Sequence, residues 1–252
     1  MKILTLARDL RRRKAREKHS LFVAEGVRSV EELLRSGLAV RGALVTPQLT
    51  DAPRGETLRR LLDSSGVEVV EISDKDFGSA AETESPQGVL AIGAIPMRTL
   101  DTLETALGCR FLLLDGIQDP GNAGTIVRTA AALGATATVA LPGTVDLWNP
   151  KVIRSSMGAQ FQHPALHAGI EETFDFLERR NIQLWVADAA GESLTAADAP
   201  ARLAIALGNE GSGVTTAVRS KSRKSVALRI APNVDSLNVA VAAGIILHEL
   251  RA

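Results

Sequence analysis

From residue 110 onward the chain alternates short apolar runs with segments of helical periodicity, and few architectures accept that pattern. RFLLLD (Arg110–Asp115), TATVAL (136–141), IQLWVAD (182–188), ARLAIAL (201–207) and SVALRI (225–230) are largely apolar on both alternating sets of positions. A strand built from such a run must be covered on both faces. Between and after them, EETFDFLERR (171–180) and SLNVAVAAGIILHEL (236–250) carry helical spacing, with NPKVIRSSMGAQF (149–161) as a further intervening segment. Buried strands separated by helices imply a parallel α/β sheet, whose ligand lies beyond the carboxyl ends of the strands. Three loops fall there: GIQDPGNAG (116–124), GNEGSG (208–213) and APNVD (231–235).

The first part of the chain repeats the alternation on a smaller scale. An opening helix over residues 3–18 leads to a strand at 21–26, a helix at 27–37, a strand at 42–45, a helix at 56–63, a strand at 67–72, a helix at 74–80 and a strand at 88–93. This divides the chain into an α/β domain at 1–95, a linker at 96–108 and a second α/β domain at 109–252. The net charge of zero hides an asymmetry: residues 1–60 carry 14 Lys+Arg against 7 Asp+Glu, and the rest carries 15 against 22. A basic head on an acidic body suits a polyanion held through its phosphates, with Arg11, Arg12, Arg13, Lys14, Arg16, Lys18 and Arg28 as the candidate contacts. The plainer reading of the same run is a solvated helix face.

One cysteine, Cys109, excludes an internal disulfide, and of the four histidines only His163 and His167 lie close in sequence, too few ligands for a centre, so no metal is expected. No apolar run approaches the roughly 20 residues of a bilayer helix. The opening MKILTLARDLRRRK has its charges after a short apolar stretch, the reverse of a secretion signal. The expectation is a cytoplasmic protein without a membrane partner. With 3% aromatic residues and no tyrosine, the chain has little material for base-stacking platforms, and Trp148 and Phe161 read as core or interface residues.

Taken alone, DPGNAG between a strand and a helix is either a tight turn or a phosphate loop, since Gly121 and Gly124 let backbone approach a ligand. It is neither G-x-G-x-x-G nor the Walker pattern. The ordered set is more specific. FLLLDGIQDPGNAGTIVRTAAALGA (111–135), LGNEGSGV (207–214) and SLNVAVAAGIILHE (236–249), with WNPKVIRSSMGAQF (148–161) between them, resemble the three motifs of the SpoU/TrmH-type RNA 2′-O-methyltransferases. KHSLFVAEGVRSVEELLRSG (18–37) and ESPQGVLAI (84–92) resemble the substrate-binding domain many of these enzymes carry, itself similar to small ribosomal RNA-binding proteins. The third motif departs from the family's usual form: it is shorter and lacks a glycine, while keeping Pro232 and Ser236-Leu237-Asn238.

The resemblance implies an amino-terminal ribosomal-protein-like α/β domain and a carboxyl-terminal α/β domain with a deep trefoil knot, the SPOUT fold, assembled as a homodimer whose sites are completed by the partner subunit. It implies S-adenosylmethionine as cofactor, held around Leu207, Gly208, Asn209, Gly211, Ile230, Pro232, Leu237 and Asn238. It implies polar catalytic positions at Asn122, Arg128, Glu210, Ser236 and Asn238, with Ser236 also placed to cap the last helix and Arg128 expected to share one crevice with Asn122. The reaction implied is methyl transfer to a ribose 2′-hydroxyl of RNA, ribosomal rather than transfer RNA, with no DNA partner. A guanidinium keeps its charge, so electrostatic clamping is favoured for Arg128 over a general-base role. Two other classes compete. A catalytically silent RNA-binding or ribosome-assembly protein would retain the same halves, but the intact Asn122, Arg128, Glu210 and Asn238 argue against it. A nucleotide-dependent oxidoreductase would need the G-x-G-x-x-G that is missing.

Overall fold

The computed structural model describes residues 2–195, 199–231, 233–234 and 236–250. Two compact units emerge. The first runs to Met97 and takes in Trp148–Gln162; the second comprises Arg98–Leu147 and the chain from His163.

In chain order the first unit begins with α1 (Ile3–Asp9), α2 (Arg13–His19), β1 (Leu21–Glu25), α3 (Val27–Arg35) and β2 (Val40–Val45), and continues through α4 (Pro53–Ser64), β3 (Val69–Glu71), α5 (Asp74–Ala80) and β4 (Val89–Ala94). Its sheet has the order β1-β4-β2-β3, antiparallel except for the β2–β3 pair. The single opening helix expected from spacing is two. Leu10 turns into the core, the helix stops there, and the Arg16 guanidinium donates to the freed carbonyls of Leu10 and Arg11, each at 2.8 Å. Arg16 is 3% exposed. It is a structural clasp and not, as the sequence suggested, part of an RNA-facing surface.

The second unit contributes β5 (Arg110–Asp115), α6 (Pro120–Ala132) and β6 (Ala137–Ala140). The chain then supplies α7 (Pro150–Ser156) and α8 (Ala159–Gln162), which fold with the first unit. Trp148, Ile153 and Phe161 complete the core around Phe22, whose ring centroid lies 4.7 Å from that of Trp148 and 5.4 Å from that of Phe161. Gly93, paired with Phe22 across β1 and β4, makes room for that ring: a Cβ there would stand 2.5 Å from its tip. The expected core role of Trp148 and Phe161 is thus realised, though in the first unit.

After α8 follow β7 (Ala165–His167), α9 (Ile170–Arg179), β8 (Gln183–Ser193), β9 (Leu203–Gly208), α10 (Thr216–Lys221), β10 (Lys224–Ala227) and α11 (Val239–Glu249). The sheet order is β10-β8-β9-β5-β6-β7, and every pair is parallel. All six residues of β5 are buried, as an apolar run without alternation demands. Phe111 and Leu113 pack with Phe176 of α9 and Val218 of α10 on one face. Leu112 and Leu114 point the other way and are as deeply buried. Two elements escaped the sequence reading: β7 has three residues, and α10 is a six-residue polar turn. Among the described residues no helix is long and apolar enough to cross a membrane.

A buried histidine ties β6 to the segment leading into β7. His163 Nε2 lies 2.9 Å from Thr138 Oγ1, and the His163 carbonyl accepts from Arg98 at 2.5 Å. Burial, with a smaller contribution from the Arg98 charge, lowers the imidazole pKa from 6.5 to about 4. In the unfolded chain the ring protonates below about 6.5, while in the fold it stays neutral until about 4, so the unfolded state binds more protons between these values. Stability present above pH 6.5 is therefore lost as the pH falls toward 4, by on the order of 3 kcal/mol. Denaturant unfolding from pH 7 to 4 should show this slope in the wild type and lose most of it in His163→Gln.

Candidate active site

Strands β5 and β9 are neighbours at the point where the strand order reverses, and Asp115 at the end of β5 stands opposite Gly208 at the end of β9. In open α/β sheets this is the ligand crevice. Three side chains stitch it. Asp115, almost wholly buried, accepts from the Thr215 N–H at 2.6 Å. Asn209 donates to the Gly116 carbonyl at 3.0 Å and accepts from the N–H groups of Gly211 (2.9 Å) and Ser212 (3.1 Å). The Thr144 hydroxyl accepts from the Gly116 N–H at 3.1 Å and donates to the Leu114 carbonyl at 2.6 Å. The turn after β9 closes through reciprocal backbone bonds between Asn209 and Gly213. So tight is it that a Cβ on Gly208 would fall 2.2 Å from the Gly213 carbonyl carbon, which only glycine permits.

The three sequence motifs meet at one amide. Pro120 opens α6, and Asp119 caps it by accepting from the Asn122 N–H at 2.7 Å, which leaves the Asn122 side chain unspent by the helix. That side chain donates from Nδ2 to Glu210 Oε1 at 2.6 Å and accepts at Oδ1 from Asn238 Nδ2 at 3.0 Å. Asn238 in turn caps α11, its Oδ1 accepting from the N–H groups of Ala240 (2.9 Å) and Val241 (3.3 Å). Each amide orientation is forced by its neighbour, because a flip of either would set acceptor against acceptor. The cap is therefore Asn238 and not Ser236, which the sequence reading had favoured; Ser236 lies on a cavity wall instead.

That cavity, of about 470 Å³, opens beyond β8, β9 and β10. Of the residues expected to hold a cofactor, Leu207, Gly208, Asn209, Ile230, Leu237 and Asn238 line it. Gly211 does not, its N–H being turned onto Asn209. Pro232 lies outside the described residues. Glu210 stands at the wall with its Asn122 bond made. Sequence reasoning missed Asp188 and the Val226–Leu228 stretch; the signal for Asp188 was an acid at the carboxyl end of an apolar run, WVAD, at a sheet's ligand edge.

Arg128 is placed differently from expectation. Six helical residues rotate it about 120° from Asn122. It is exposed on α6 and lines neither this cavity nor the shallower one that Asn122 and Asn238 share with Thr125, Thr129, Gly244 and Ile245. In the basic head, Arg12 pairs with Asp9 at 2.5 Å, Arg13 with Glu17 at 2.7 Å, and Arg11 reaches the Ser79 carbonyl and Glu82. Lys14, Lys18 and Arg28 are exposed.

The SpoU rRNA Methylase family matches residues 110–248, and the MRM3-like substrate binding domain matches residues 3–91. The 23S rRNA (guanosine(2553)-2′-O)-methyltransferase RlmP of Bacillus subtilis (strain 168) is 33% identical over 97% of this chain and 94% of its own length. The 23S rRNA (uridine(2479)-2′-O)-methyltransferase of Streptomyces viridochromogenes is 29% identical over 94% of this chain and 84% of its own. Among solved structures, the SpoU methyltransferase AviRb from Streptomyces viridochromogenes, in complex with the cofactor AdoMet, superposes with a TM-score of 0.89 at 28% identity, covering 99% of this chain and 97% of that one. Fold, motif junction and full-length similarity coincide, and the chain belongs to the SpoU rRNA methylase family.

Proposed function

We propose that the protein is a ribosomal RNA 2′-O-methyltransferase using S-adenosylmethionine. The observation that carries this reading is the junction Glu210–Asn122–Asn238, which joins all three family motifs at the mouth of the cavity. The cavity suits the cofactor in size and chemistry. About 470 Å³ lies within the usual range for small-molecule sites. Leu207, Leu228, Ile230 and Leu237 offer apolar walls for a purine, Gly208, which the tight turn requires, adds backbone to the wall, and Asp188 and Glu210 supply acceptors to a ligand of net positive charge. Bound there, the cofactor supplies an electrophilic methyl group on a sulfonium.

The chain's own residues orient the acceptor. Asn122 fixes the Glu210 carboxylate by one oxygen and leaves it further acceptor positions toward the cavity mouth. Arg128 clamps a target phosphate and stabilises the oxyanion forming at the 2′-oxygen. Its place on the outer face of α6 suits a site completed by a second subunit. On α11, which packs on α6, Val241 and Ile245 remain 51% and 39% exposed, which supports a homodimer formed over this face. The same family reading carries the trefoil knot in the last segments and an action in the cytoplasm, where ribosomal RNA is met. Lys14, Lys18 and Arg28 serve the first unit's RNA contact.

The decisive measurement is calorimetric titration with S-adenosylmethionine and S-adenosylhomocysteine. Both should bind the folded wild type, and a protein that binds neither, with or without RNA, is not this enzyme. Arg128→Ala should lower methyl transfer to unmodified ribosomal RNA by about 100-fold or more at unchanged cofactor affinity, with Arg128→Lys recovering part of it. The product nucleotide should resist alkaline cleavage on its 3′ side, because cleavage needs a free 2′-hydroxyl. Methyl found on a base, or wild-type transfer by Arg128→Ala, would count against the assignment.

A separate expectation concerns the head. Combining Lys14→Ala, Lys18→Ala and Arg28→Ala should weaken RNA binding and reduce the slope of log affinity against log salt by about 2, at roughly 0.7–0.9 for each phosphate that is no longer neutralised. Arg16→Ala should instead lower the melting temperature, because its guanidinium closes the break between α1 and α2.

A further inference from the structure

Strand β8 is eleven residues long, yet its pairing with β10 is broken in the middle. Trp185 pairs with Lys224 and Val186 with Ser225; the next pairs are Glu192 with Val226 and Ser193 with Ala227. While β10 advances one residue, residues 187–191 are looped out of the ladder. Gly191 closes this bulge against β10, where a Cβ would lie 2.7 Å from the Ser225 carbonyl carbon and the Val226 nitrogen. Bulges re-aim side chains, and this one sets Ala187, Asp188 and Ala189 on the cavity wall.

Asp188 is held in place from two sides. Its Oδ1 accepts from the Ala190 N–H at 2.9 Å, and its Oδ2 lies 2.5 Å from a guanidinium nitrogen of Arg219. The Ala190 N–H, and after it Arg219, keep the carboxyl below the usual carboxylate range, so the group is an anion that only accepts. A carboxylate offers about four acceptor positions. Two are taken, one on each oxygen, and one remains on each. The other cavity residues from β8 and β10, Ala187, Ala189, Val226 and Ala227, bring no polar side chain. Asp188 is thus the polar anchor of that wall, offering two adjacent acceptor positions at fixed spacing.

We infer that Asp188 receives the ribose 2′,3′-diol of the cofactor's adenosine, one hydroxyl on each carboxylate oxygen. The inference rests on the cofactor reading above. A cis-diol presents two donors on adjacent carbons, the complement of what Asp188 has left, whereas a lone cation would need no such pair. Arg219 and the bulge are positioning elements: neither touches the diol, and both set the plane of the carboxylate.

The test is calorimetry on the intact protein with S-adenosylhomocysteine, its 2′-deoxy and 3′-deoxy analogues, and 5′-methylthioadenosine, which keeps the diol and lacks the amino-acid end. Asp188→Asn, which can still accept from Ala190, should weaken S-adenosylhomocysteine and 5′-methylthioadenosine alike by about tenfold or more. Wild type should discriminate against the deoxy analogues by a similar factor, and Asp188→Asn should lose most of that discrimination. Equal weakening of natural and deoxy ligands would show a merely structural role and overturn the assignment. A loss confined to S-adenosylhomocysteine, with 5′-methylthioadenosine unaffected, would place Asp188 on the ammonium instead and overturn it too. Wild type that binds none of these ligands would remove the cofactor reading itself, and this assignment with it.

Discussion

An amide side chain carries a donor and an acceptor on one rigid plane, and the second unit uses that property at Asn122 to join three separate pieces of chain. The carboxylate of Glu210 needs a donor; the amide of Asn238, already committed at its oxygen to the first N–H groups of α11, needs an acceptor. Asparagine and glutamine serve both from two separate atoms held on one plane, and at the first turn of α6 the shorter side chain reaches. Aspartate would face Glu210 with like charge, and alanine would leave a capping residue and a loop acid without their partner. The capping work on α6 falls to Asp119, which frees Asn122 for this bridge. Hence the loop after β9 and the start of α11 are held together at the cavity mouth.

The rest of the site follows from having one close-packed turn and one bulged segment at the same sheet edge. The turn at residues 208–213 is bound by reciprocal backbone bonds and by Asn209, so it presents a fixed floor. The bulge at 187–191 leaves the ladder, and that departure from the pleat is what lets Asp188 turn inward. A continuous β8–β10 ladder would have kept Asp188 in the pleat, where its side chain would face one side of the sheet and not the cavity at its end.

Much of this was legible in the sequence where a local rule governed. RFLLLD became a fully buried strand at the expected residues, and the parallel sheet and its three loops followed from apolar runs alone. Elsewhere tertiary partners decided. Past Leu10 the chain continues in good helix formers, Arg11 to Lys18, with nothing in the sequence to mark a break; burial of Leu10 and the Arg16 clasp divide the helix. Ser236 and Asn238 are both good capping types, and the choice between them depended on Asn122, far away in sequence. The run WVAD marks Asp188 as an acid at the sheet's ligand edge, but its turn onto the cavity wall was invisible, because a bulge is a register event between two strands and neither strand's own pattern records it. Trp148 and Phe161 were recognisable as core residues, but which core they join is a matter of chain path.

Charge then divides the work within the second unit. Among the described residues the cavity is lined by two acids, Asp188 and Glu210, and by no lysine, arginine or histidine. A cationic cofactor is drawn to such a lining, and a phosphate polymer is turned away from it. In the proposed reaction the RNA must therefore be gripped from outside the cavity and offer only its 2′-hydroxyl to the mouth. Arg128, exposed on α6 and absent from the cavity wall, stands where a cation can do that without neutralising the acids within. In that proposal its separation from Asn122 around the helix fits a site that takes one cationic and one anionic ligand.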